Sequence, residues 1–313
     1  MGDKKLVTAL GFFDGVHSAH GKLLEETVRQ ASITGTEPAA VMFDRRPLDM
    51  VNGSETELIN TAEDRKDIIS RLYGIENTIS IRFTADFMKT KWDEFIKQLK
   101  NEYNVSCVVA GYDFRFGHMG EGDCNKLRAL CGELDIGCRV IEKVEIDGTA
   151  VSSTYIRELI KNGDMKRANL FLGHPHTLSG TVADGRKLGR TMDFPTANML
   201  IPDGVIVPKK GVYSAKFHTW DGGEYTAVTN IGSRPTVNGG DDITVESHLL
   251  DFSGNLYGTR GRVEFLDFIR PEQKFSDLDE LKRQISLDIL RVRNENQPGT
   301  ITNLELKSNQ DEK

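Results

Sequence analysis

Cysteine is scarce, with only Cys107, Cys124, Cys131 and Cys138 in 313 residues, all in one part of the first half. None forms a C-x-x-C pair and the spacing fits no common zinc pattern, so neither a disulfide framework nor a metal scaffold is indicated. Reduced, mostly buried thiols in a cytoplasmic protein are expected. No apolar run approaches membrane-spanning length, and no apolar h-region of a signal peptide follows Met1-Gly-Asp-Lys-Lys5. Met1-Gly2 is not a myristoylation site, because position 6 is Leu where Ser or Thr is wanted. A basic excess is also missing: 40 Lys and Arg stand against 47 Asp and Glu, a net charge of −7. That argues against nonspecific nucleic-acid or anionic-membrane binding and leaves room only for a local basic pocket. The 28% charged and 38% hydrophobic residues are those of a globular chain. The length suggests about two domains, each with its own core.

The chain is organised around Gly11-Phe-Phe-Asp-Gly15-Val-His17-Ser-Ala-His20. A strand-length apolar run, Lys5 to Leu10, precedes it, and Gly21 to Ala31 follows with Leu23, Leu24 and Val28 on one helical stripe. The pattern is strand, glycine turn, helix. Open α/β sheets bind ligands beyond the carboxyl ends of such strands, and the helix N-terminus favours a phosphate. His17 and His20 are three apart and share a face. An H-x-x-H alone is a weak signal and reads first as two structurally incidental surface histidines.

Pro38 to Phe43 forms a second strand, ending in Asp44-Arg-Arg-Pro47. Arg45 and Arg46 read either as a solvated loop or as two guanidiniums near a phosphate. Thr61 is an N-cap candidate with Asp64 three residues on, opening a helix to Leu72. Ile79 to Ile81 is a short strand. Lys91 to Tyr103 is an amphipathic helix with Phe95, Ile96 and Leu99 inward, and Ser106 to Ala110 is a buried strand. Such alternation implies a doubly wound, mostly parallel sheet. The glycine-rich loop Gly111-Tyr-Asp-Phe-Arg-Phe-Gly117 comes next, followed by a strand and turn over Val140 to Gly148. Ser152, Ser153 and Thr154 then open a helix from Tyr155 to Asn162 that carries Arg157. Hydroxyls in that position commonly cap a helix.

A short helix over Met165 to Leu172 ends at Gly173-His-Pro175, where the texture changes. Short strands with Gly, Asn and Asp turns signal an antiparallel barrel or sandwich. They run over 177–182, 211–218, 225–231, 243–250 and 262–269, with a hairpin turn at Thr219 to Gly223. A terminal helix spans Ser276 to Val292, with Leu278, Leu281, Ile285 and Ile289 inward. Residues 296–313 are polar and read as a disordered tail. Gly180 to Arg190, including Gly185 and Lys187, is a glycine-rich loop with basic residues, suited to covering phosphates. Thr196 and Asn198 present two oxygens on one side of an extended chain, which suit Mg²⁺, though Phe194 to Asn198 also reads as a turn. Glu246 sits within an apolar strand run. It either faces solvent or, at the barrel mouth, is a candidate general base.

These motifs, taken together and in order, resemble the bacterial bifunctional riboflavin kinase/FMN adenylyltransferase family. Gly11 to His20 is similar to that family's G-x-F-D-G-V-H-x-G-H signature and departs at Ala19, where the family has Gly. Gly111 to Gly117 resembles its G-x-D-F-x-F-G segment, and Ser152 to Arg157 its S-S-T-x-I-R. Phe43 and Pro47 are kept where the family has Phe and then Pro-His-Pro, but Arg45 and Arg46 replace the first Pro and the His. In the second half, Gly-Arg-x-x-x-F-P-T-A-N, Asn230-Ile-Gly232, Arg234-Pro-Thr236, Glu246-Ser-His and Leu256-Tyr-Gly258 follow the order of the riboflavin kinase domain.

The resemblance implies a Rossmann-like nucleotidylyltransferase domain over residues 1–172 and a riboflavin-kinase β-barrel with a C-terminal helix over 173–295. It implies a cytoplasmic enzyme using riboflavin, FMN and ATP with Mg²⁺. Gly11, Phe13, Asp14, Gly15, Asp113, Ser153, Thr154, Gly180, Gly185 and Lys187 would bind nucleotide. His17, His20 and Arg157 would assist adenylyl transfer, Thr196 and Asn198 would hold the metal, and Glu246 would be the kinase base. Two alternatives stand beside it: a riboflavin kinase carrying a degenerate adenylyltransferase domain, and a flavin-binding regulator without turnover.

Overall fold

The computed structural model describes residues 4–44, 55–183, 194–235 and 241–295. Arg45, Arg46, Pro47, Gly185, Lys187, Thr236 and the 296–313 tail lie outside the described residues.

The chain divides into two compact units. The first comprises Met1–Lys161, Arg167–His176 and Asp203–Val207, so a short segment from far along the chain belongs to it. That segment is tied by backbone bonds from Leu58 N–H to Gly204 O (2.7 Å) and from Ile206 N–H to Leu58 O (2.8 Å).

In this unit β1 (Leu6–Leu10), α1 (Ser18–Thr34), β2 (Glu37–Phe43), α2 (Ala62–Tyr73), β3 (Asn77–Ile81), α3 (Trp92–Tyr103), β4 (Val105–Gly111), α4 (Cys124–Glu133) and β5 (Gly137–Ile141) alternate. The five strands form one parallel sheet in the order β3-β2-β1-β4-β5. Both faces are covered, as a parallel sheet requires. Val7 and Ala9 face a core with Leu23, Leu24, Ile68 and Ile69, while Leu10 faces another with Phe95, Ile96, Leu99 and Leu127. Strands β2 and β3 extend the sheet to one side of β1, and β4 and β5 to the other. The order therefore reverses between β1 and β4, and that is where such a sheet opens a crevice. Thr61 caps α2 by accepting the Asp64 N–H at 3.0 Å, as its sequence predicts.

After β5 a small hairpin, β6 (Glu145–Ile146) and β7 (Thr149–Ala150), turns at Asp147-Gly148, both at positive φ. The strand expected over Val140 to Val144 is instead β5, because pairing with β4 begins at Gly137. Helices α5 (Ser153–Asn162) and α6 (Met165–Leu172) follow. The four cysteines carry free thiols, three of them buried.

The second unit is a closed barrel, not a sandwich. Strands β8 (His176–Ala183), β9 (Ala197–Leu200), β10 (Gly211–Thr219), β11 (Glu224–Pro235), β12 (Asp241–Leu249) and β13 (Arg260–Arg270) run in the order β10-β11-β12-β9-β8-β13. Antiparallel pairing of β10 with β13 closes it. Tyr213, Ala215, Phe217, Val263 and Phe265 are fully buried. On the other face, Val212, Val228 and Leu250 meet Val292 and Ile289 of α7 (Leu278–Glu295). Asp288 anchors the helix through Arg270, with Nη2 to Oδ2 at 2.8 Å. Leu278, expected inward, is 63% exposed. The packed stripe centres on Asp288 and Val292 instead.

Candidate functional site

The turn after β1 adopts backbone that most side chains avoid. Phe13, Gly15 and Val16 have φ of 57°, 80° and 40°, and positive φ at a bulky or β-branched residue is strained unless its surroundings impose it. A β-carbon on Gly15 would also lie 2.9 Å from Ile59 Cδ1. Side chains from three other elements hold this turn by its carbonyls. Arg65 of α2 donates to Phe12 O. Ser153 of α5 donates to Asp14 O at 2.9 Å. His174, in the connector after α6, lies 3.0 Å from Gly15 O through Nε2. The Asp14 side chain completes the lock. Its Oδ1 accepts from Ile59 N–H at 2.8 Å and its Oδ2 from Arg157 Nη2 at 2.5 Å, and both side chains of the ion pair are buried.

His17 is the N-cap of α1, its Nδ1 accepting the His20 N–H at 3.3 Å. The proton of its neutral ring therefore sits on Nε2. The two rings stack at 3.7 Å. Burial pushes the His17 pKa down to about 3, with lesser contributions from His174 and Arg157. Burial, then the proximity of His17 and Arg65, holds His20 well below its ordinary value. Both rings are thus neutral near pH 7 and act as hydrogen-bonding groups, not as cations.

Beyond β1 and β4 lies a cleft of about 1110 Å³. Gly11, Phe12, Asp14 and His20 line it from the first turn, Asp113, Phe114 and Met119 from the loop after β4, and Ser153 and Arg157 from α5. An aromatic wall closes one side: Phe43, Phe83 and Phe87 meet edge to face or tilted at 5.5–6.0 Å, and Phe114 stacks on Phe116 at 5.3 Å. Gly117 bends that loop at φ 76°, where a β-carbon would strike the Trp92 backbone at 2.5 Å. Nitrogens of three side chains around the turn are buried without a partner among the described residues: His20 Nδ1, Arg65 Nη2 and Arg157 Nε. Orphaned donors beside a polar rim and an aromatic wall fit a phosphate ester carrying a planar ring.

Of the expected residues, Gly11, Asp14, His20, Asp113, Ser153 and Arg157 line the cleft. Phe13 and Gly15 are buried beneath it as parts of the turn. His17 stands behind His20. Thr154 is exposed and not part of the lining. Ala19 lies in the first turn of α1 and does not line the cleft. Arg65 and His174 were missed. Their sequence surroundings carry no signal, and only the fold brings them to the turn.

In the second unit, strand register assembles a different site. Asn198 of β9 pairs with Glu246 of β12, and Glu246 pairs with Asn230 of β11. Cross-strand partners lie about 5 Å apart on one face, so the three form a row. Glu246 alternates with buried Val245 and Ser247, which puts it, half-buried, on the outer side of the barrel wall. The expected turn over Phe194 to Asn198 ends in strand β9, and that strand creates the row. His248 holds the preceding loop, its Nδ1 2.9 Å from Pro195 O and its ring edge-on to Phe194. A β-carbon on Gly232 would lie 2.7 Å from Glu272 Oε1 and 3.2 Å from Asn230 Nδ2, so glycine keeps space open beside them. Gly180 has a packing reason to be glycine: a β-carbon there would meet Leu200 O at 2.3 Å.

A parallel sheet with a switch-point cleft, joined to a closed six-stranded barrel, defines a two-module nucleotide-dependent enzyme. Family models match both modules, an FAD synthetase over residues 2–155 and a riboflavin kinase over 172–295. Bifunctional riboflavin kinase/FMN adenylyltransferases from Listeria monocytogenes and Bacillus subtilis are 32% and 36% identical to the chain. Each alignment covers 91% of this chain, and 91% and 90% of the respective relative. The chain belongs to the bifunctional riboflavin kinase/FMN adenylyltransferase family. A crystal structure described as a macrolide-efflux protein from Streptococcus pneumoniae matches 94% of this chain and 95% of its own, with a TM-score of 0.83 and 27% identity. Among the described residues, no helix is long and apolar enough to cross a membrane.

Proposed function

We propose that this chain phosphorylates riboflavin to FMN at the barrel and adenylylates FMN to FAD at the cleft. The observation that carries the second activity is the locked turn under the switch-point cleft, with unpartnered nitrogens of His20 and Arg157 buried beside it. In the transfer, an FMN phosphate oxygen bonds to the α-phosphorus of ATP, the bond to the β-phosphate oxygen breaks, and pyrophosphate leaves. Positioning and electrostatics suffice, without a covalent enzyme intermediate. Arg157, fixed by Asp14, stabilises charge on the phosphates, His20 donates beside them, and Ser153 holds the turn through Asp14 O. The aromatic wall takes a planar ring of the substrates. Because Ala19 stays outside the cleft lining, its methyl gives no reason to read the module as degenerate.

At the barrel, Glu246 accepts the proton of the riboflavin 5′-hydroxyl as that oxygen bonds to the γ-phosphorus of ATP, the bond from that phosphorus to the β-phosphate oxygen breaks, and ADP leaves. The hard oxygens of Thr196 and Asn198, the latter the cross-strand partner of Glu246, suit Mg²⁺ and would hold it. When bound, the ion neutralises phosphate charge. Gly185 and Lys187 keep their reading as phosphate-covering residues from the sequence. The test is a chromatographic assay of the purified chain with FMN and MgATP, without riboflavin, and a second with riboflavin and MgATP. FAD in the first and FMN in the second are expected. FMN formation without FAD from supplied FMN would leave only a riboflavin kinase, and flavin binding without turnover a regulator.

A further inference from the structure

His174 is buried, 8% exposed, in the connector between α6 and β8. Its two ring nitrogens face two backbone carbonyls: Nε2 is 3.0 Å from Gly15 O and Nδ1 is 2.9 Å from Pro175 O. A neutral imidazole has one N–H and can donate to only one of them. Its other nitrogen then turns a lone pair toward a carbonyl lone pair. A proton supplies the missing donor, and both contacts become charge-assisted hydrogen bonds. The connector packs on the same turn elsewhere too, through Ser18 Oγ to Phe171 O at 2.8 Å and Gly173 against Ser18 Cβ.

We propose that His174 is a proton-dependent positioning residue for the cleft, its imidazolium clamping the Gly15 carbonyl to the connector. This rests on the reading of that cleft as the adenylyltransferase site. Among the described residues, four titratable groups lie around it. From the turn comes Asp14, already paired with Arg157 of α5, so those two charges offset each other. From α1 comes His17 and from the start of β8 His176. Burial first, then the proximity of His174, pushes both down to about 3. Neither competes for the proton near neutrality. Among the described residues, charge on His174 therefore meets two acceptors and two neutral rings. Below its pKa the strained turn is held at Gly15. Above it one of the two bonds is lost, the turn loosens, and ATP binds more weakly.

The experiment measures FAD formation by the full chain from FMN and MgATP across pH, for wild type, His174→Gln and His174→Arg. Substrate titration is common to all three and cancels in their ratios. The ATP KM of the wild type should rise about tenfold as pH passes through the His174 pKa, the size of one charge-assisted hydrogen bond. His174→Arg, a donor at every pH, should keep the low KM, and His174→Gln, with one donor direction, the high KM throughout. Denaturant unfolding followed in the first unit, to which His174 belongs, reports whether the variants fold. In the unliganded wild type, the imidazole NMR resonance missing from His174→Gln should titrate in the same pH window in which the ATP KM changes. A wild-type to His174→Gln KM ratio that stays constant with pH, or a resonance that does not move in that window, overturns the proposal. No FAD from wild type at any pH overturns the adenylyltransferase reading instead, and the resonance still reports the protonation of His174.

Discussion

The cleft beyond β1 and β4 is made by a loop held against its own preference, whereas the row on the barrel is made by strands doing what antiparallel strands do. In the first, positive φ at Phe13 and Val16 persists because Arg65, Ser153, His174 and the Asp14–Arg157 pair fix the chain around them. In the second, Asn198, Glu246 and Asn230 face one another because their strands are in register. The difference concerns where function and stability overlap. At the turn Asp14, Ser153 and Arg157 both hold the strained backbone and line the cleft. At the barrel the ladder and the inner core carry the fold, and the half-buried row lies on the outer side of that core.

The largest effect that would sharpen this contrast is that of Arg157→Ala. It leaves the Asp14 carboxylate buried without its cation, which should cost about 3–5 kcal/mol in the first unit. FAD formation should fall by about 10²-fold or more. Denaturant unfolding, followed unit by unit because two units need not unfold together, checks the first, and chromatography the second. Riboflavin phosphorylation should be spared. An unchanged unfolding profile would break the comparison, because the turn would then not depend on its charges.

A smaller effect comes from pH. His17 and His176 are buried and neutral, with pKa values lowered from 6.5 to about 3. Between those limits the unfolded chain binds protons that the native one refuses. Stability is therefore fully present above pH 6.5 and declines as pH falls toward 3, by about 1.4 kcal/mol per pH unit for each histidine. Melting temperatures should drop steadily from pH 7 to pH 5. A flat profile would mean that the rings are not held neutral.

The elements with strong periodicity were legible. The strand-turn-helix around Gly11, the Thr61 cap and the buried stripe of α3 all follow from local pattern. Helix α4 was not foreseen, because its apolar residues are interrupted by Asn125, Lys126 and Arg128 and by cysteines. Strand β9 was read as a turn because Pro195 dominates its start and only four residues pair. In the cleft, Asp14 and Arg157 were legible as parts of motifs, but their mutual pairing was not. Arg65 and His174 act on backbone carbonyls far away in sequence, and no local pattern encodes such contacts. Leu278 fits the helical stripe by spacing yet stands exposed, since the helix docks on Val212, Val228 and Leu250 through its later turns.

The central claim is that two separate sites work on one chain, and Glu246→Gln tests it most directly. The substitution keeps size and strand pairing, so unfolding should shift by no more than about 0.5 kcal/mol. FMN formation from riboflavin should fall by about 10²–10⁴-fold, while FAD formation from supplied FMN continues at the wild-type rate. If FMN formation persists within a few-fold, or FAD formation falls in step with it, the account is contradicted.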